Sequence, residues 1–127
     1  MRSFVIVAVG GAVGTLARHG VGETITSYDP FPYATFVVNL SGSFLLGLLA
    51  TLLVLRGADS GARRDARLLL GTGLLGGYTT YSALAVETEQ LLRFGEVQVA
   101  VVYALGTAVL GLVAALAGIA TARAVSP

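Results

Sequence analysis

Four long stretches of this chain lack formal charge or nearly so, and nothing else in the sequence limits its fold as strongly. Ser3–Ala17 is uncharged and continues through Arg18 and His19 to Gly22, while Tyr33–Leu55, Leu68–Val86 and Val97–Ala122 are uncharged throughout. A hydrocarbon layer of about 30 Å is crossed by roughly 20 apolar residues of helix, so each stretch has the length of a membrane span. Backbone amides in lipid find no water and must satisfy one another, which a helix does within one segment. Strands of a lipid-facing barrel would alternate polar and apolar residues over shorter runs, and no such alternation occurs. The pattern predicts an all-α membrane protein, one domain over residues 1–127 with four transmembrane helices at about 3–22, 33–55, 68–86 and 97–122. The first stretch follows Arg2 as a secretion signal would, but its glycines and Arg18 make a poor cleavage region, and the later spans need a membrane in any case.

Composition agrees: 55% of residues are hydrophobic and 12% charged, with a mean hydropathy of +0.83. A soluble domain this small would need a polar coat that this chain cannot supply. Short connections rich in turn formers separate the spans, Tyr28-Asp29-Pro30-Phe31-Pro32 in the first and Arg56-Gly57-Ala58-Asp59-Ser60-Gly61 in the second. An even number of spans puts both termini on the side of the middle loop. That side gathers Arg2, Arg56, Arg63, Arg64, Arg67 and Arg123, against Arg18 and Arg93 opposite. Cytoplasmic loops are the arginine-rich ones, so both termini are expected in the cytoplasm, in a multi-pass protein of the cell membrane. The net charge of +1 and the absence of lysine give no basic face for nucleic acid. With no cysteine, disulfide, thiol and thiolate-metal chemistry are excluded.

Polar groups inside the spans carry the functional signal, because lipid does not tolerate them idly. Thr35, Asn39 and Ser43 follow at intervals of four along one face of the second span, with Gly42 beside them. For Thr35 and Ser43 an interhelical hydrogen-bond seam is the simpler reading, and Ser43 with Gly47 forms a small-xxx-small pair. Asn39 stands apart, since a whole amide near mid-membrane is costly and offers two donors. The third span holds Gly71-Thr-Gly-Leu-Leu-Gly-Gly-Tyr-Thr-Thr-Tyr-Ser82, where adjacent glycines and paired threonines invite a helix broken near its middle. Freed carbonyls there suit a hard cation, although Gly73 and Gly77 also read as a packing face. Tyr103 and Thr107 share a face of the fourth span; an interfacial belt position is open to the tyrosine and fits Thr107 poorly. Arg18 and Glu87, at span ends, read as interfacial charges, as does His19; Glu89, Arg93 and Glu96 read as loop charges. No carboxylate lies mid-span, which disfavours a small multidrug or cation exporter. A non-transporting assembly subunit would need only the glycine seams, and no converging nucleophile, base or metal-ligand set suggests an enzyme.

Three segments in order resemble the Fluc (CrcB) family of fluoride channels: Gly10-Gly-Ala-Val-Gly-Thr-Leu-Ala-Arg18, Thr35-Phe-Val-Val-Asn-Leu-Ser-Gly-Ser-Phe44, and Gly76-Gly-Tyr-Thr-Thr-Tyr-Ser82 with Glu87. The resemblance covers nearly the whole chain. It implies a dual-topology type of dimer, two subunits packed antiparallel with two anion pathways along their interface. Asn39 then resembles the pore-lining asparagine, and Gly76 and Thr79 the positions whose carbonyls hold a structural sodium ion on the dimer axis. Ser82, Tyr103 and Thr107 resemble the polar track beside the path, which Ser43 would join; Arg18 and Glu87 match vestibule and helix-end positions. The pattern departs at Tyr81-Ser82-Ala83-Leu84, where the family usually has Phe-Ser-Thr-Phe. Tyr81 keeps a ring and adds a hydroxyl, Leu84 offers no aromatic edge, and Ala83 lacks a threonine's hydroxyl. With the arginine imbalance, these departures suggest the fixed-orientation member of a heterodimer with an oppositely inserted paralogue, the alternative being a homodimer. Fluoride is small and strongly hydrated, so uncharged donors on Asn39, Tyr81, Ser82 and Thr107, and ring edges, would replace its water while letting it leave. The absence of a P-loop motif accords with passive flow.

Overall fold

The computed structural model describes residues 1–126, and every regular element among them is helical. Helix α1 covers Arg2–Thr24 and α2 covers Tyr33–Leu55. The next stretch is assembled from α3 (Gly61–Ala66), a wide π-helical segment (Arg67–Leu75), the single turn α4 (Gly76–Tyr78) and α5 (Tyr81–Arg93), after which α6 runs over Val97–Val125. Of these, α1, α2 and α6 are each long and apolar enough to cross a membrane. Helix α5 continues past Val86, so Glu87, Glu89 and Arg93 lie on a helix. Glu89 and Arg93 are not the loop charges expected: they are one helical turn apart and pair with each other. The turn into α6 is tight, with Gly95 at φ 81° and the Glu96 N–H returning to the Leu91 carbonyl at 2.9 Å.

Lipid-soluble helices gain no hydrophobic advantage from meeting and associate through close packing of small residues. Gly10 and Gly14 of α1 face Gly73 and Gly77 of the third stretch. A Cβ on Gly73 would stand 2.8 Å from the Val7 carbonyl oxygen and 2.9 Å from Gly10 Cα, and one on Gly14 or Gly77 would overlap the carbonyl of Leu74 or Gly11. The packing-face reading of Gly73 and Gly77 therefore holds. Helices α2 and α6 meet in the same way, Gly47 against Ala115 and Gly118 against Phe44. The apolar core is small, formed by Val38, Leu75, Leu91, Ala100, Tyr103 and Ala122, while Phe4, Leu16, Leu105, Leu112 and Leu116 point outward.

The arginine-rich end is tied together by short polar contacts. Arg2 pairs with Asp65 at 2.5 Å and Arg67 with Asp59 at 2.8 Å. Hydrogen bonding from Arg67, with the added pull of Arg67 and Arg64, holds the Asp59 carboxyl below its usual range. Arg63 folds back to donate to the Arg56 carbonyl at 2.5 Å and the Ala58 carbonyl at 3.0 Å, capping the end of α2.

Candidate functional site

Between α4 and α5 the backbone leaves helical geometry at two residues, Thr79 (φ −75°, ψ 158°) and Thr80 (φ −150°, ψ 120°). Both are β-branched and tolerate extended backbone well. Thr80 also starts the next helix, its Oγ1 accepting the Ala83 N–H at 3.1 Å, the bond that makes threonine a good N-cap. A bare peptide group at this depth would be costly. Asn39 of α2 removes the cost: its Nδ2 donates to the Thr80 carbonyl at 3.0 Å while its Oδ1 accepts the Thr80 N–H at 2.8 Å. One side-chain amide thus pairs with both backbone groups of one residue, as a neighbouring strand would.

This clamp has a second effect. In a continuous helix the Thr80 N–H would bond the Gly76 carbonyl and the Ala83 N–H would bond the Thr79 carbonyl. Here Asn39 and the Thr80 side chain take those donors. The two carbonyls that the family resemblance points to for a cation, those of Gly76 and Thr79, are the two deprived of their helical donors, and Gly76 is exposed. Neutral carbonyl oxygens of this kind fit a hard cation such as sodium. Thr79 Oγ1 is committed elsewhere, to the Leu75 carbonyl at 2.9 Å.

An open groove of about 440 Å³ runs from this break between α2 and α6, lined by Asn39, Ser43, Thr80, Tyr81, Leu84 and Thr107 among others. Four of the predicted anion-pathway residues, Asn39, Ser43, Tyr81 and Thr107, meet there. They do not offer equal chemistry. Asn39 retains a second amide proton beyond the one given to Thr80. Ser43 makes no side-chain hydrogen bond among the described residues, and Tyr81, 82% exposed, has an equally free hydroxyl. The Thr107 proton is directed at its own helix, to the Tyr103 carbonyl at 2.6 Å, so offering it to an anion requires a rotation about Cβ–Oγ. Ser82 stands next to the groove, its hydroxyl 3.2 Å from Thr80 Oγ1.

Tyr103 is set apart from the groove. Its side chain is wholly buried, its ring meets Phe31 edge-on at 5.4 Å, and its hydroxyl donates to Glu87 Oε2 at 2.5 Å. Thr35 donates to the other oxygen, Glu87 Oε1, at 2.9 Å. Glu87 is consequently half-buried and ties α2, α5 and α6 together, where the sequence suggested a charge at the interface. Thr35 does form the expected interhelical seam, and Ser43 does not. Arg18 is half-buried on α1 and joins neither cluster through a hydrogen bond or ion pair among the described residues. Thr80 is the residue that sequence reasoning passed over. Its signal was present, a hydroxyl-bearing residue after the glycine pair and immediately before a new helical run.

The sequence matches the family described as CrcB-like protein, Camphor Resistance (CrcB), over residues 5–119. Among curated proteins it is 47% identical over 124 residues to "Fluoride-specific ion channel FluC 2" of Leifsonia xyli subsp. xyli, covering 98% of this chain and 86% of that protein. It is 44% identical over 125 residues to "Fluoride-specific ion channel FluC" of Hyphomonas neptunium, with 97% of each chain covered. The protein of the same name from Thermus thermophilus is 47% identical over 120 residues, 93% of each.

Proposed function

Because the chain belongs to the CrcB family of membrane ion channels and is not an enzyme, we propose that it conducts fluoride passively out of the cytoplasm along the groove at the Thr79–Thr80 break. The observation that carries this is the Asn39 clamp: an uncharged amide fixed by two bonds to Thr80, beside the unengaged hydroxyls of Ser43 and Tyr81. Fluoride binds its hydration water tightly, so a path must offer substitute donors held in place beforehand. It must also lack a fixed cation in contact with the ion, or the ion would not leave. Glu87, the carboxylate held between α2, α5 and α6, has both oxygens occupied by hydroxyl protons, which tempers its repulsion of an anion.

A single open groove does not enclose an ion, and Tyr81 projects from it. The second wall is supplied by another copy or a paralogue, inserted antiparallel, giving two pathways per dimer. The carbonyls of Gly76 and Thr79 would hold the structural sodium ion, which supplies fixed positive charge near the paths. Leu84 lines the groove where the family pattern has a phenylalanine, and with the arginine imbalance this favours a heterodimer whose partner completes the aromatic lining. Both termini lie in the cytoplasm on this reading. Hydrogen fluoride crosses membranes neutral and dissociates in a less acidic cytoplasm, so a passive path down the anion's gradient suffices for export.

The test is efflux from vesicles reconstituted with the purified protein, alone and with a candidate paralogue, under fluoride or chloride gradients. Fluoride should leave rapidly without ATP or a proton gradient while chloride is retained. Efflux no faster than from protein-free vesicles in both preparations, or equal rates for the two halides, would overturn the assignment.

A further inference from the structure

The arginine-rich end of the molecule holds a second cavity, of about 620 Å³, between the ends of α2 and α6. Its lining is Leu52, Leu55, Arg56, Arg123, Val125 and Ser126. Most of the neighbouring arginines are already partnered. Arg2 and Arg67 face aspartates, Arg63 caps the carbonyls of Arg56 and Ala58, and Arg64 reaches the Ser3 hydroxyl at 3.4 Å. The guanidinium groups of Arg56 and Arg123 have no hydrogen-bond or carboxylate partner among the described residues, and these two share the cavity.

From this arrangement we infer that the cavity is a binding site for the headgroup of an anionic phospholipid. Two guanidinium forks can engage the oxygens of one phosphate with directed hydrogen bonds, and Ser126 adds a hydroxyl donor. Leu52, Leu55 and Val125 line the same cavity, so the chains attached to a headgroup meet apolar walls where a free phosphate would meet nothing it can use. The location suits a lipid too, since α2 and α6 both have the length and composition of membrane-crossing helices and their ends lie at the headgroup level. Basic pockets between helix ends are where such headgroups bind. The inference needs the protein to lie in a membrane and is independent of which ion it conducts.

Native mass spectrometry of the purified full-length protein, equilibrated with phosphatidylglycerol or phosphatidylcholine, tests it. The wild type should retain phosphatidylglycerol in preference to phosphatidylcholine, and the double substitution Arg56→Gln with Arg123→Gln should weaken that retention about thirtyfold, two losses of roughly 5.5-fold multiplied. Arg64→Gln should retain the lipid as the wild type does, and each single substitution should give an intermediate loss if the double variant fails to fold. Equal retention by wild type and double variant, or equal retention of the two lipids, would overturn the site. So would inorganic phosphate protecting the protein from thermal unfolding as well as the lipid does, or loss of the dimer's mass in the double variant, which would assign the cavity to a second copy.

Discussion

Ser43 and Thr107 border the same groove with hydroxyls in different states, one uncommitted and the other donating to the Tyr103 carbonyl at 2.6 Å. Hydrogen bonds to charged partners are worth about twice those between neutral groups, so the free proton matters more to an anion. Ser43→Ala should slow fluoride efflux by roughly tenfold, whereas Thr107→Val should change it by no more than about twofold, as one bond of about 1.5 kcal/mol predicts. The reverse order of effects would show that Thr107 turns outward during transport. Asn39 was legible from sequence, because an amide in an apolar helix demands a reason. Its partner was not, since Thr80 lies 41 residues away and nothing in a local pattern couples them. The partners of Glu87 were out of reach for the same cause: Thr35 and Tyr103, which donate to its two oxygens, come from two other helices.

Helix contacts in this fold are made by backbone against backbone, and glycine is the residue that permits it. Gly14 of α1 has no room for a side chain because of the Leu74 carbonyl, whereas nothing lies within 4 Å of a Cβ at Gly20 on the same helix. Gly14→Val should therefore lower stability by about 3 kcal/mol or more, as overpacking against an unyielding wall does, with Gly20→Ala neutral or slightly stabilising. Thermal unfolding in detergent checks the pair, and equal effects would contradict the packing described. The glycine spacing made a close-packed face legible. That the same segment also winds as a π-helix over Arg67–Leu75 was not, because an apolar stretch carries no phase from which a wider turn can be told. The extension of α5 to Arg93 escaped notice because charges were read as ends of spans, while a helix emerging from lipid accepts them readily.

Charge divides the whole molecule by end. Arg2, Arg56, Arg63, Arg64, Arg67 and Arg123 with Asp59 and Asp65 share one end; Arg18 and Arg93 stand with Glu23, Asp29, Glu87, Glu89 and Glu96 toward the other. Such a bias should fix the direction of insertion. The chain has no cysteine, so Ser126→Cys gives a clean reporter: labelling by an impermeant thiol reagent should require opening the cell, and labelling of half the molecules from outside would point to both orientations. The central claim joins the scales, an amide holding a helix break open beside an anion path. It is tested most directly by recording fluoride efflux with a selective electrode from vesicles containing Asn39→Asp, a change that keeps the acceptor for the Thr80 N–H but loses the amide protons and adds negative charge. Efflux should fall to the rate of protein-free vesicles while the protein elutes at its wild-type size; wild-type efflux from this variant would contradict the account.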